Sequence, residues 1–271
     1  GRPAGTASRR GSVTPARKRW LSGIGEHAVL EPDAWVPGAW VLSIGGREQS
    51  HVNLAAPQEI FYEYLRRLAN HLDLLGAPGS PLRVLHLGAG ALTLARYVAA
   101  TRPGSPQVAV DLERELMGFV VEALPLPAGA DVRLVVDDAR AVVDSGLPGE
   151  RFDAIVLDVF SGADAPAQLT GPDFYAAVAA RLAPGGVALI NVGDDPPLRF
   201  AKSQLAAMEE VFGFVTVAAP AEMFSCRYPG NLILMGTAER WDAARLEALR
   251  AAGPHPGTVL TGPDLDAFRR S

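Results

Sequence analysis

The chain has 271 residues, 48% of them hydrophobic and 20% charged, with a single cysteine and a formal charge of −5. That length accommodates one sizeable α/β domain plus a small appendage, and the composition excludes collagen-like, disulfide-stapled and wholly disordered chains. Cys226 has no second cysteine to pair with, and no run of about 18 uncharged apolar residues offers a membrane-spanning helix, so a cytoplasmic protein without a membrane partner is expected.

Residues 1–20 carry Arg2, Arg9, Arg10, Arg17, Lys18 and Arg19 and no acid, a charge of +6. Rich in Gly, Ser, Thr and Pro and lacking apolar periodicity, this stretch reads as a disordered basic tail. Residues 21–271 carry 19 basic against 30 acidic residues, −11. An acidic body argues against nucleic acid as its ligand and suits a small cationic molecule.

The elements follow in chain order. AWVLSI (39–44) and REQSHVNL (47–54), joined by Gly45-Gly46, predict a β-hairpin, because both central residues of a type I′ turn need positive φ. Residues 21–78 form a small β-rich module and a linking helix. That helix is expected to start near Pro57, with Ile60, Tyr64, Leu68, Leu72 and Leu75 on one face. After the linker GAPGSP (76–81), near-continuous apolar strands are expected at 83–88, 107–112, 132–137, 153–159 and 186–192. Helices are expected at about 91–101, 113–123, 172–183 and 197–212. Short apolar strands alternating with helices predict a doubly wound parallel sheet covered on both faces. FVTVAA (214–219) and NLILMGT (231–237) have no helix-length pattern between them and predict an antiparallel pair. That ending marks a Rossmann-like sheet of the methyltransferase type, here spanning 79–239. Residues 240–271 read as a C-terminal helical extension.

The first parallel strand ends in His86-Leu87-Gly88-Ala89-Gly90-Ala91-Leu92-Thr93. Gly88 and Gly90 permit a sharp turn and close approach of a ligand to a helix N-terminus. Thr93 stands where a dinucleotide fingerprint wants a third glycine, so a pyrophosphate ligand is not indicated. Asp111 ends the second strand, 21 residues after Gly90, where a carboxylate accepts both ribose hydroxyl protons of a nucleoside. Asp138 with Ala139 follows the third strand, within reach of an adenine amino group, and Asp158 ends the fourth. Single acids at strand ends are ordinarily solvated. Three in succession above a Gly-rich turn converge on one crevice and predict an S-adenosyl nucleoside site. The five histidines show no HxxxH or HxH spacing, which argues against a metal site. No GxSxG elbow occurs.

These residues resemble the spermidine synthase (polyamine aminopropyltransferase) family, over about 39–237 and in order. IGGREQ resembles the family's LDGxxQ, with Gln49 as its nucleoside-binding glutamine. Phe61-Tyr62-Glu63 resembles YHE of the amine pocket, and Gly88 to Leu92 resembles GGGDGG. Val110 to Glu113 resembles VEID, Asp137-Asp138-Ala139 resembles GDA, and Asp158-Val159-Phe160-Ser161-Gly162 resembles the catalytic DSSDP loop. The resemblance implies transfer of an aminopropyl group from decarboxylated S-adenosylmethionine to an amine, with Asp158 as catalytic base. Gln49, Gly88, Gly90, Asp111, Asp138 and Ala139 would then hold the nucleoside. It also implies a homodimer.

The sequence departs from the family at Ala91, where the donor-binding aspartate would stand, and at Ser161, Phe61 and Tyr62. Asp164, Asp194 and Asp195, in loops after the fourth and fifth strands, are the candidates to supply cation-binding charge in compensation, and Tyr62 is the candidate substrate residue of the amine pocket. Two alternatives follow from the departures: an S-adenosylmethionine-dependent methyltransferase, and a catalytically degenerate nucleoside- or partner-binding protein.

Overall fold

The computed structural model describes residues 16–161 and 164–271. Residues 1–15 of the basic tail and Gly162 of the DVFSG segment lie outside the described residues.

Four strands, β1 (Arg17–Leu21), β2 (Glu26–Pro32), β3 (Ala39–Ile44) and β4 (Arg47–Asn53), form an antiparallel meander in that order. The β3–β4 turn is made by Gly45 and Gly46 at φ 59° and 79°, as its composition predicts. Residues 17–20 correct the expectation of disorder through residue 20. Arg17 to Leu21 pair with Leu30 to Glu26. Arg19 lays its guanidinium over the Phe119 ring at 5.2 Å and bonds Glu122 at 2.8 Å. A polar segment orders itself when a neighbouring strand satisfies its backbone, and local composition cannot reveal that partner.

α1 (Glu63–Asp73) begins after Pro57 rather than at it. The Asn53 side chain accepts the Ala56 N–H at 2.9 Å, holding the preceding segment in a turn. Then follow β5 (Val84–Leu87), α2 (Thr93–Thr101), β6 (Pro106–Asp111), α3 (Arg114–Ala123) and β7 (Asp131–Val136). A short helix that apolar periodicity does not announce, α4 (Ala139–Ser145), is capped by Asp138. β8 (Phe152–Ser161), α5 (Pro172–Ala180), β9 (Leu182–Asp194), α6 (Arg199–Glu209), β10 (Phe214–Pro220) and β11 (Gly230–Thr237) complete the predicted alternation. α7 (Ala243–Ala252), β12 (Gly257–Leu260) and α8 (Gly262–Arg270) close the chain.

The large sheet has the order β12-β10-β11-β9-β8-β5-β6-β7. β5 to β9 are mutually parallel, whereas β11 runs antiparallel to both β9 and β10. This is the methyltransferase-type ending expected from the sequence. The C-terminal extension is not purely helical: β12 adds to the sheet edge along β10, with Val259 buried.

Alternating strand residues divide the core. Leu85, Leu87, Ile155, Leu157, Ala188 and Ile190 face α4, α5 and α6, while Val84, Ala154, Val156, Val187 and Leu189 face α1, α2 and α7. The small sheet sits on α3 through Leu21, Leu30, Leu42 and Val52, which pack with Leu116, Phe119 and Val120. β5 is the point where the chain, having added β6 and β7 on one side, turns to add β8 and β9 on the other. Open α/β sheets bind ligands beyond the strand ends at such a point.

Candidate active site

Gly88 lies at that crossover, at φ 87°. A Cβ there would stand 2.7 Å from the Asp158 carbonyl oxygen and 2.6 Å from Val159 Cγ1. Glycine is therefore required twice, by the left-handed backbone and by the approach of β8. Gly90 (φ 52°) and Leu92 (φ 65°) continue the turn into α2.

Two cavities meet at Gly88. One, of about 120 Å³, is lined by Asp111, Leu112, Asp138, Ala139 and Val159. The other, more enclosed and about 40 Å³, is lined by Ser50, Tyr64, His86, Gly90 and Asp158. The structure thus places Asp111, Asp138 and Ala139 around one of two adjoining cavities and Gly90 and Asp158 around the other, with Gly88 shared by both.

In the first cavity both carboxylates are tied to backbone. Asp111 accepts N–H groups from Ala89 at 3.2 Å and Glu113 at 3.0 Å, one on each oxygen. It therefore braces the Gly-rich turn and keeps further lone pairs for a ligand's hydroxyl groups. Asp138 accepts the Ala141 N–H at 3.1 Å as N-cap of α4. Arg140, beside it, pairs with Asp144 at 2.8 Å.

The second cavity differs. Asp158 projects from β8 on the face covered by α1, and its oxygens meet side chains. Asn191 Nδ2 donates to Oδ1 at 2.9 Å and the Tyr64 hydroxyl donates to Oδ2 at 3.3 Å. Burial pushes the Asp158 carboxyl above its ordinary value, and the two hydrogen bonds moderate the rise by favouring the ionised form. Burial, with the Asp158 charge beside it, also raises the Tyr64 phenol, so Tyr64 stays protonated and a donor. Asn191 leaves its own Oδ1 buried and without a partner.

Not every predicted residue joins the crevice. Asp164 and Asp195 line a separate open cleft of about 770 Å³ with Asp194, Phe200 and Asn231. They follow β8 and β9 along the rim, where the loops carry them away from Asp158. Gln49 is exposed where the β3–β4 register shifts, and its neighbour Ser50 lines the enclosed cavity. Tyr62 is the residue before α1, half-buried, and donates to Glu48 at 2.6 Å outside that cavity. The aromatic residue that reaches Asp158 is Tyr64, two positions on. Ala91 is buried with Leu21, Leu30 and Leu42, so the turn places an apolar group at that position.

Ser50, Tyr64, His86 and Asn191 were not singled out by the motifs. The signal available for two of them is a polar residue inside an apolar strand: His86 in RVLHLG and Asn191 in GVALINV. Among the described residues no cluster of three or more His, Cys, Asp or Glu is arranged to hold a metal ion. No described helix is long and apolar enough to cross a membrane.

No protein-family model matches the chain. Over 90% of its length it superposes on 90% of a probable spermidine synthase from Corynebacterium glutamicum, with 36% identity and a TM-score of 0.82. A polyamine aminopropyltransferase from Chromobacterium violaceum is 26% identical over 204 residues, 74% of this chain and 73% of that protein. Human methyltransferase-like protein 13, solved with S-adenosylhomocysteine, matches 78% of this chain and 94% of that one, at 19% identity and a TM-score of 0.58. That last likeness is one of fold.

Proposed function

The chain belongs to the spermidine synthase family of polyamine aminopropyltransferases, and on that premise we propose that it transfers an aminopropyl group from decarboxylated S-adenosylmethionine to a small amine, with Asp158 as base. The observation that carries this reading is Asp158 itself. It is a carboxylate at the sheet crossover, partly buried, with a raised pKa, oriented by Asn191 and Tyr64 and open to the enclosed cavity.

The nucleoside is assigned to the Gly88 crevice, with Asp111 accepting from its ribose and Asp138 and Ala139 beside its base. Gln49, exposed next to Ser50, is assigned to the same ligand from the hairpin side. Holding donor and acceptor in one cavity replaces a bimolecular encounter with an oriented one. The acceptor amine arrives as an ammonium of pKa near 10 and must shed a proton to attack. Asp158 attracts the cation and takes that proton while the nitrogen lone pair forms a bond to the carbon next to the sulfonium. The carbon–sulfur bond breaks with its electrons going to sulfur, and methylthioadenosine leaves. Tyr62 and Glu48, hydrogen-bonded to one another near α1, are assigned to the acceptor's path. Asp164 and Asp195 lie in the separate cleft and are not assigned to it. The same proposal includes a homodimer and a cytoplasmic setting, which suits an unpaired Cys226.

Ala91 favours a second reading. With an apolar residue where the family motif places the donor-binding aspartate, S-adenosylmethionine itself becomes a possible donor and methyl transfer a possible outcome. Incubation of the full chain with decarboxylated S-adenosylmethionine and putrescine tests the first reading, which predicts methylthioadenosine and spermidine in equal amounts. S-adenosylhomocysteine formed from S-adenosylmethionine, with no aminopropyl product, would replace the first reading by the second. Ligand binding without either product would leave a binding protein.

A further inference from the structure

Of the polar residues lining the enclosed cavity to which the reaction above gives no task, Ser50, Thr93 and His86, the imidazole is the one set inside an apolar strand. His86 stands in β5 among Val84, Leu85 and Leu87 and is 4% exposed. A buried imidazole is costly unless hydrogen-bonded, and its Nε2 lies 2.7 Å from Gln107 Oε1. The direction of that bond follows from its neighbour. Gln107 donates its own Nε2–H to the Ala95 carbonyl at 2.9 Å, which turns its amide oxygen toward His86. An amide oxygen only accepts, so the imidazole proton resides on Nε2 and Nδ1 presents a bare lone pair.

Nδ1 has no protein partner among the described residues and is not one of the buried atoms sealed without one, so it meets the cavity that His86 lines. Burial lowers the imidazole pKa to about 4, and at neutral pH Nδ1 stays an acceptor. The neighbouring groups point the same way. Asp158 is a carboxylate, and the Tyr64 hydroxyl is already donating to it. Beside the Ser50 hydroxyl the cavity therefore offers acceptors and negative charge, which complement an ammonium.

We propose that His86 Nδ1 accepts a hydrogen bond from the ammonium group of the donor's aminopropyl chain. The inference rests on the aminopropyl-transfer reading, and it supplies from β5 a donor-recognition group where the Gly-rich turn has Ala91.

Two substitutions separate the two ring nitrogens. His86→Gln keeps a donor in reach of Gln107 and removes the acceptor at the Nδ1 position. His86→Asn keeps an acceptor there and gives up the bond to Gln107. Calorimetry on the full chain with decarboxylated S-adenosylmethionine and with methylthioadenosine, which lacks the aminopropyl chain, measures amine recognition without turnover. His86→Gln is expected to weaken decarboxylated S-adenosylmethionine by roughly tenfold or more while methylthioadenosine is unchanged, and His86→Asn to keep most of the difference. A folded His86→Gln protein with an unchanged ratio of the two affinities would overturn the proposal, as would an equal loss for both ligands. Absence of aminopropyl product from the wild-type chain would instead count against the transfer reading, because the affinity ratio is measured independently of it.

Discussion

Asp111 ends β6 and Asp158 lies within β8, three residues before its end; they stand on either side of Gly88, yet they are built for different work. Both are partly exposed, and Asp111 is bonded to backbone N–H groups of the turn it braces. Asp158 lies under α1, is bonded to the side chains of Asn191 and Tyr64, and has its pKa raised by burial. The sequence reads both alike, as an acid at a strand end. The element packed above each one decides whether it is a fixed acceptor or a proton-transfer group.

Substitutions at Asp158 probe this contrast most strongly. Asp158→Asn is expected to lower kcat by about 10²–10⁴, the usual range for loss of a general base, with nucleoside affinity kept. It is also expected to raise the melting temperature at neutral pH. A carboxyl whose folded pKa lies above its unfolded value loses stability as pH rises through that interval, so the gain in the variant should vanish in acid. A variant that melts no higher than wild type at neutral pH would break the argument from burial.

Asn191→Leu is the next test. Removing a donor to the ionised carboxylate raises the Asp158 pKa further, so the acid limb of the pH–rate profile should move to higher pH. A fall in kcat of roughly tenfold at neutral pH is expected, recovered in part at higher pH, since one hydrogen bond to a charged group is worth about 1.5–3 kcal/mol. An unmoved acid limb would mean that Asn191 does not orient the base.

Asp138→Ala should have the smallest effect. It removes the N-cap of α4 and is expected to cost about 1 kcal/mol in denaturant unfolding. A large loss of kcat would show Asp138 to be closer in role to Asp158 than its geometry indicates.

Much of this was legible in the residues alone, for identifiable reasons. The central strands read correctly because strands buried on both faces are apolar almost throughout, as in QVAV and GVALINV. The Gly-rich turn was legible because Gly88 must have no side chain, a constraint that acts on the residue itself. β1 has the composition of a tail, and its order comes from β2. α4 was missed because seven residues held by one cap show little periodicity. β12 is not legible locally, since its pairing with β10 joins residues far apart in sequence.

The sequence by itself determined the sheet type, the crossover turn and the carboxylates above it, since these follow from periodicity and spacing within short segments. Only the tertiary structure decided which acids share a cavity. Asp164 and Asp195 diverge into another cleft although they follow the correct strands. Tyr64, His86 and Asn191 converge on Asp158 from α1, β5 and β9, or line its cavity. Strand-end position places an acid on a rim. The direction of its side chain and the depth of its burial depend on helices and neighbouring strands contributed from elsewhere in the chain, and those set its pKa and its chemistry.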